Sequence, residues 1–228
     1  MMPKKCNIKM LIVIYALSFI IMGSCAPKRV NYNIDEEFKS EKPKKIAVIP
    51  FYKGKNPGPV KDDLKCEVCK LVYTPEEIAE NADVRLTRFL REALSTFQNI
   101  DIIPEEKVHK KLDIHPMDPL LDTPYSISLR VGRETEAEGV LVGTISRYKE
   151  RKGSAAGSTS PASVVFSLFL IRVRDGKILW KADFGETQRS LLENLLDIST
   201  FFKRGGRWLT ADELASYGVR EVLKTLPL

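Results

Sequence analysis

Two cysteines separated by two residues, Cys66 and Cys69, have the spacing with the clearest chemical meaning in this chain of 228 residues. A redox pair of the thioredoxin type would open a helix, where the helix dipole lowers the pKa of a thiol; here a helix cap follows only at Thr74. A zinc site would need two further ligands, and His109 and His115 stand about 40 residues away. An oxidising compartment would favour a local disulfide between Cys66 and Cys69, with the redox pair and the zinc site as alternatives.

The other ionisable residues form no catalytic constellation. His109 lies among lysines and His115 precedes a proline. Either could be catalytic, but no serine, cysteine or carboxylate stands out as its partner, so solvated histidines are the ordinary interpretation. The acid pairs Glu76–Glu77 and Glu105–Glu106 stand at predicted helix starts, where they complement the helix dipole. We therefore expect no enzyme, no catalytic residue, no cofactor and no metal.

The segment Lys4–Cys25, KKCNIKMLIVIYALSFIIMGSC, indicates the compartment. It has a basic front, an uncharged run over residues 10–22, and small residues before Cys25, which is the layout of a secretory signal peptide. As a helix the run would be only about 20 Å long, against a hydrocarbon core of about 30 Å. A retained transmembrane anchor is therefore disfavoured.

The end of this segment resembles the lipobox of bacterial lipoproteins, in which a small pair precedes a cysteine that becomes the new N-terminus and carries acyl chains. The resemblance implies a signal peptide over residues 1–24 and a lipidated Cys25, held in a membrane at about 0.8 kcal/mol per buried methylene. Ala26 stands where many inner-membrane lipoproteins of Gram-negative bacteria have aspartate, which implies the periplasmic face of the outer membrane. An ordinary signal peptide cleaved at another bond is the alternative.

Composition indicates one domain on a tether. The chain carries a net charge of +6, and the predicted signal peptide contains three lysines and no acid. The remaining charge is too small to indicate nucleic-acid binding. With 43% hydrophobic and 29% charged residues the chain can bury one sizeable core. Residues 25–45 are polar and are predicted to be a flexible tether spanning roughly 25 Å, followed by a periplasmic domain over residues 46–228.

Hydrophobic periodicity predicts an α/β domain. The strand Val164–Val173 is apolar on both alternating faces, so it should lie inside a covered sheet. Asp175-Gly176 predicts a primed hairpin turn into a partner strand, Ile178–Phe184. The other expected elements, in chain order, are a strand at 46–51, a helix opened by Thr74-Pro75-Glu76-Glu77 and ending near Phe97, a strand at 100–103, a helix from Pro104 to Leu112, a helix from Tyr125 to Glu138 stopped by Gly139, a strand at 140–148, and helices at 191–202 and 211–226.

Three stretches together resemble one group of periplasmic domains: KKIAVIPF, GVLVGTISRY and LIRVRDGKILWKADF. They are similar to the domain shared by the curli-secretion lipoprotein CsgG, the penicillin-binding-protein activator LpoB and the TolB amino-terminal domain, over most of residues 44–226. The resemblance implies a single mixed sheet with a C-terminal antiparallel hairpin, covered by helices, of the anticodon-binding-domain-like or TolB-N-like type.

The same resemblance implies a non-catalytic, lipid-anchored interaction module. Its partners would be the membrane, through the N-terminal lipid, and a protein of an envelope assembly, transport or cell-wall complex. A homo-oligomeric subunit of a CsgG-like secretion assembly is the alternative, although the loop 149–163 is too short and too polar for a membrane-spanning hairpin. A redox protein acting through Cys66 and Cys69 is the second alternative.

Two basic runs and two tryptophans complete the candidate surface. Lys149–Lys152 and Lys203–Arg207 would suit anionic lipid head groups or an acidic partner, and a solvated surface is the ordinary interpretation. We expect Trp180 and Trp208 in the core or at its rim.

Overall fold

The computed structural model describes residues 29–53, 64–66, 68, 72–73, 76–114, 118, 122–154, 158–188 and 207–228. The strands are β1 (Val30–Ile34), β2 (Lys45–Val48), β3 (Tyr52–Lys53), β4 (Leu64–Lys65), β5 (Val72–Tyr73), β6 (Asp101–Ile102), β7 (Gly139–Lys149), β8 (Lys152–Gly153), β9 (Ser158–Ser160), β10 (Ser163–Arg172) and β11 (Ile178–Thr187). The helices are α1 (Ala82–Leu94), α2 (Glu105–Ile114), α3 (Pro124–Glu134) and α4 (Ala211–Leu223), with a 3-10 turn at Glu36–Lys39.

Seven of the strands form one mixed sheet, which is the kind of sheet that the family resemblance implies. The order is β1-β11-β10-β7-β2-β6, and β3 also pairs with β7. β2 and β3 run parallel to β7, and β6 runs parallel to β2, whereas β10 is antiparallel to both β7 and β11. β1 closes the far edge antiparallel to β11. Two further two-stranded pairs, β4 with β5 and β8 with β9, lie outside this sheet.

The central strand β10 is covered on both faces, which confirms the prediction from its sequence. Phe166 and Leu168 belong to one buried cluster, which includes residues of α1 and α4. Phe169 and Ile171 belong to a second cluster, which includes residues of α2 and α3. Two layers of helices therefore enclose the sheet.

The C-terminal helix α4 begins at the capping box that its sequence predicts. Thr210 accepts a hydrogen bond from the Glu213 backbone N–H, and the Glu213 carboxylate accepts from the Thr210 N–H, so both halves of the capping box are made. Gly218 lets this helix approach the sheet closely, because a Cβ at that position would lie 2.6 Å from the ring of Phe184. Trp180, fully buried beneath the same helix, donates to the Thr225 hydroxyl at 3.2 Å.

The first long helix begins later than predicted. α1 starts at Ala82, after Asn81 in the left-handed region with φ of 59°. Ile78, predicted as helical, instead forms a bridge to Tyr148 at the end of β7, and the Ala79 N–H donates to the Tyr148 carbonyl at 2.9 Å. Pairing with a distant strand outweighs the local helix signal here; the proposed cap at Thr74 lies outside the described residues.

Gly139 is not the stop of α3 that the sequence predicts. The helix ends at Glu134, and the left-handed residue that turns the chain is Glu136, with φ of 54°. Gly139 is the first residue of β7, packed so closely that a Cβ would lie 3.0 Å from Pro43. Close packing of the backbone explains this glycine.

The predicted tether over residues 25–45 differs from the structure, because most of it is folded. Val30–Ile34 forms the edge strand β1, with Val30 opposite Phe184 and Ile34 opposite Trp180. Phe38 is completely buried in the core. Burial of these apolar side chains offsets the entropy of ordering an otherwise polar segment, so the domain starts near residue 29 and not at 46.

The connection between β10 and β11 is wider than a primed two-residue turn. The two strands pair antiparallel as predicted, but among their connecting residues only Gly176 has a positive φ, of 76°. The Gly176 N–H donates to the Arg172 carbonyl at 2.9 Å. Asp175 keeps an ordinary backbone conformation and uses its side chain to bind Arg172 and the Lys177 N–H.

Candidate functional site

The predicted lipidation site, Cys25, lies outside the described residues, but the point where its chain joins the fold is defined. The Arg29 carbonyl accepts a hydrogen bond from the Gly185 N–H at 3.0 Å, and the Arg29 guanidinium lies 3.3 Å from the Glu186 carboxylate. Four residues later than Cys25, the chain is therefore fixed to the edge of the sheet. Whatever path they take, four residues span at most about 14 Å.

Cys66 is buried, with 8% of its surface exposed, and belongs to the cluster on the α2 and α3 side of the sheet. It directly follows β4, which pairs antiparallel with β5. The first described helix after it, α1, begins at Ala82. Cys66 is therefore not at the N-terminus of a described helix, the position that activates a redox thiol. Cys69 lies outside the described residues, and the disulfide stays a prediction.

Only one of the two candidate histidines, His109, is among the described residues. His109 is half exposed on α2, with its Nε2 3.3 Å from the Glu105 carboxylate one turn earlier. His115 lies outside the described residues. Within the part of the chain that the structure describes, no three His, Cys, Asp or Glu side chains are grouped as metal ligands.

The most elaborate polar cluster surrounds Arg172, which sequence reasoning missed. Its side chain is only 7% exposed, and its Nη2 lies 2.6 Å from both the Glu37 and Asp175 carboxylates. Its Nη1 lies 3.1 Å from the Glu41 carboxylate. The hydrogen bond from Arg172 holds the pKa of Asp175 at about 2. The cluster therefore ties the segment after β1 to the turn between β10 and β11.

Lys177 completes this cluster. Its Nζ lies 2.9 Å from the Asp35 carboxylate and 2.7 Å from the Glu37 carboxylate. Hydrogen bonds from Lys177 lower the pKa values of both acids. Because Asp35, Glu37 and Asp175 are held ionised beside fixed cations, these three are poorly suited to act as general acids at neutral pH. The cluster is a structural clamp on the N-terminal segment.

A cleft of about 490 Å³ lies beside this clamp. Pro43, Ala137 and Val173 contribute apolar lining, and charged residues such as Arg133 and Glu138 also line it. None of its lining residues is a serine, threonine, cysteine or histidine. The cleft is the right size for an apolar group but has no side-chain nucleophile of those types.

Tyr148, at the opposite end of β7, lies in a second buried polar group. Its ring is completely buried, and its hydroxyl donates to the Asp212 carboxylate. Burial, with Asp212 adding to it, raises the pKa of Tyr148. The Arg85 guanidinium lies 5.0 Å from the centre of the Tyr148 ring and bridges Asp212 and Glu150 at 3.0 and 3.3 Å. A tyrosine with a buried ring and a raised pKa is a poor proton donor. The contacts of Tyr148 and Arg85 with Asp212 instead hold β7 against α1 and α4.

Beyond Tyr148, β7 ends at Lys149, and Glu150, Arg151 and Lys152 follow it. Lys149 is half-buried, Lys152 is exposed, and Arg151 donates to the backbone carbonyl of half-buried Trp208. Neither Lys149 nor Arg151 has an ion-pair partner among the described residues. Of the other predicted basic run only Arg207 is described, paired with Glu213. No helix in the described ranges is long and apolar enough to cross a membrane.

No protein-family model matches this chain, and neither does any curated protein. Similar solved structures include a PelC dodecamer from Paraburkholderia phytofirmans, at 15% identity over 86% of this chain and 95% of that chain, with a TM-score of 0.48. Lipoprotein GNA1162 from Neisseria meningitidis matches at 15% identity over 72% and 97%, with a TM-score of 0.43. The LpoB C-terminal domain from Escherichia coli matches at 13% identity over 76% and 94%, with a TM-score of 0.38. At these identities the function has to be argued from the chain's own residues.

Proposed function

We propose that this chain is a lipid-anchored, non-catalytic interaction module on the periplasmic face of the outer membrane, where it serves an envelope protein complex. The observation that carries the proposal is the position of Cys25. It ends a segment with the layout of a signal peptide and stands four residues before Arg29, where the chain joins the sheet. Acyl chains on Cys25 would hold the domain directly on the membrane.

The short connection determines the reach of the module. Four residues span at most about 14 Å, whereas the 11 residues of β7 alone extend the domain by about 33 Å. An anchored domain of this kind works within its own length of the membrane. Its partner would therefore be a membrane protein or a protein bound close to the same surface.

The non-catalytic part of the proposal is supported by the roles of the ionisable groups. Fixed cations lower the pKa values of Asp175 and Glu37 and hold both acids ionised. Tyr148 is buried with a raised pKa, and His109 pairs with Glu105 on one exposed helix face. Each arrangement is accounted for by packing or by local charge. A binding role needs none of these groups to react.

The test of the anchor is metabolic labelling with palmitate and intact-mass measurement in a Gram-negative host. The expected product starts at Cys25, carries acyl chains and fractionates with the outer membrane. Cys25→Ala should incorporate no label, whereas Cys6→Ala, a matched change inside the signal segment, should be labelled like the wild type. An unmodified chain cleaved at another bond would overturn the proposal.

The test of the interaction role is chemical cross-linking in living cells. We expect an adduct with an envelope protein whose yield depends on the lipid, so that it disappears in Cys25→Ala at equal amounts of chain. Ala26→Asp should move both the chain and the adduct toward the inner membrane. Substrate turnover by the purified chain, with no adduct in cells, would contradict a non-catalytic module.

A further inference from the structure

We propose that the cleft beside the clamp binds the carboxyl-terminal residue of a partner polypeptide. The carboxylate of that residue would bind the Arg133 guanidinium, and its apolar side chain would lie on the floor of the cleft. The proposal rests on the proposed function, because it names the kind of chain segment that the interaction module recognises. The cleft has a fixed shape, an apolar floor and available cations, and each property restricts what it can bind.

The walls of the cleft are held in place by hydrogen bonds between three segments of the chain. The Glu138 carboxylate accepts from the Lys44 N–H at 2.7 Å, and the Glu138 N–H donates to the Lys45 carbonyl at 2.8 Å. The Val173 N–H donates to the Glu138 carbonyl at 2.9 Å. The segment after α3 is thereby joined both to the start of β2 and to the end of β10. A ligand would therefore meet a preformed site, which lowers the entropy lost on binding.

The floor of the cleft is apolar and has no aromatic ring. Pro43 is buried, and Ala137 and Val173 are 7% and 5% exposed. The volume of about 490 Å³ is within the range of about 300–1,000 Å³ that is usual for small-ligand pockets. Because none of the lining residues is aromatic, a nucleic-acid base would find no surface on which to stack. An aliphatic side chain is the group that this floor fits.

The three acids that line the cleft already have partners within the protein. The Glu41 carboxylate lies 3.1 Å from the Arg172 guanidinium, and Glu138 accepts from a backbone N–H. The Glu136 side chain is 88% exposed, with its carboxylate 3.7 Å from the Lys45 ammonium. The negative charge of the lining is therefore compensated by fixed groups.

Two cations of the lining remain available. Arg172 is enclosed by carboxylates, and Arg174 pairs with Glu41. Lys42 and Arg133 are exposed, and their side chains have no ion pair or hydrogen bond in the ranges that the structure describes. A guanidinium can bind a carboxylate through two parallel N–H···O bonds, and Lys42 adds positive charge to the same rim.

The carboxyl-terminal residue of a polypeptide carries both of the groups that the cleft fits. Its carboxylate and its side chain are attached to the same carbon, so one can reach the cationic rim while the other lies on the apolar floor. Capture of a terminal carboxylate is a recurring mode of peptide recognition. An internal segment of a chain would offer the apolar side chain but would leave the Arg133 guanidinium without a carboxylate on that residue.

The probe is an acetylated tripeptide, alanine-alanine-leucine, and its affinity for the purified mature chain is measured by saturation-transfer NMR of the leucine methyl groups. The free acid should bind about tenfold more tightly than the amide, which is the lower end for a hydrogen bond between charged groups because Arg133 is exposed. Replacing leucine with glycine should weaken the free acid by about tenfold, since the floor loses its apolar contact. Equal affinities of acid and amide, equal affinities of the leucine and glycine peptides, or no binding of the free acid at millimolar concentration would each overturn the proposal.

Arg133→Gln tests the assigned cation. The variant should bind the free acid about as weakly as the wild type binds the amide, and its affinity for the amide should not change. Arg88→Gln removes an exposed arginine from α1, outside the cleft, and should change neither affinity. A tenfold preference for the acid that persists in Arg133→Gln would overturn the assignment.

Two further measurements separate this proposal from other outcomes. Hexanoate is an apolar anion without a peptide group, and if it binds as tightly as the peptide the cleft does not recognise a chain end. The acyl mass of the same sample reports on the anchor independently. A chain without acyl groups that prefers the free acid would refute the anchor and support the cleft, whereas an acylated chain without that preference would refute the cleft alone.

Discussion

Phe38→Ala tests whether the segment after Arg29 belongs to the fold. Phe38 follows the edge strand β1 and is completely buried in the cluster on the α1 and α4 side of the sheet. Truncating a buried phenylalanine to alanine removes its transfer free energy and leaves a cavity, at a cost of about 3–5 kcal/mol. A flexible tether, as the composition of residues 25–45 predicts, would lose almost nothing.

The assay is urea denaturation of the lipid-free mature chain, followed by the fluorescence of buried Trp180. The free energy of unfolding should fall by about 3–5 kcal/mol with an unchanged denaturant slope. Because domains are stable by only about 5–15 kcal/mol, the shift should be large. Val84→Ala is the control: Val84 is 63% exposed on α1, and its loss should change stability by no more than about 0.5 kcal/mol.

A loss below about 1 kcal/mol for Phe38→Ala would refute the reasoning. The segment from Val30 to Phe38 would then contribute no packing in solution, and the chain would behave as the longer tether that its composition suggests. The connection between Cys25 and the first packed residue of the domain would then be longer than four residues.

Three further predictions concern the clamp, a close packing contact and the cysteines. Asp175 has its pKa held at about 2, below the ordinary 3.8. Its contribution to stability is therefore present above about pH 4 and is lost as the pH falls toward 2. Asp175→Asn should flatten the pH dependence of the melting temperature between these values, and an unchanged profile would count against the clamp. Gly218→Ala should destabilise the chain, because overpacking against Phe184 costs about 1–3 kcal/mol and exceeds the helix-propensity gain of up to about 1 kcal/mol. Adding Phe184→Leu to this variant should recover part of the lost free energy of unfolding, measured by urea denaturation. In chain isolated from the outer membrane, Cys66 and Cys69 should stay unlabelled by iodoacetamide until the chain is reduced. Reduction should lower the free energy of unfolding by about 2 kcal/mol for so short a loop. Labelling of both thiols before reduction would exclude the disulfide.

The sequence is sufficient to predict an element wherever the signal lies in neighbouring residues or repeats with a strict period. Thr210 and Glu213 specify the start of α4 because the capping box needs only residues three apart. The apolar run of β10 predicts a covered inner strand, because a strand with two apolar faces has to be buried on both. The mixed sheet enclosed by helices follows from elements of this kind.

Pairing between distant segments decides the rest. Ile78 leaves the predicted helix to bridge Tyr148, and Val30–Ile34 becomes a strand only because β11 offers it an edge. Neither partner can be predicted from neighbouring residues, and the polar composition around Phe38 obscures a side chain that is completely buried in the core.

The candidate sites divide in the same way. The sequence alone determines the Cys25 segment and the Cys66–Cys69 spacing, because each is a pattern of neighbouring residues. Only the tertiary structure reveals the clamp, since the carboxylates of Glu41 and Glu37 are 131 and 135 residues from Arg172. A motif of adjacent residues can be recognised without the fold, whereas the clamp exists only because β1 and the turn between β10 and β11 become neighbours in the sheet.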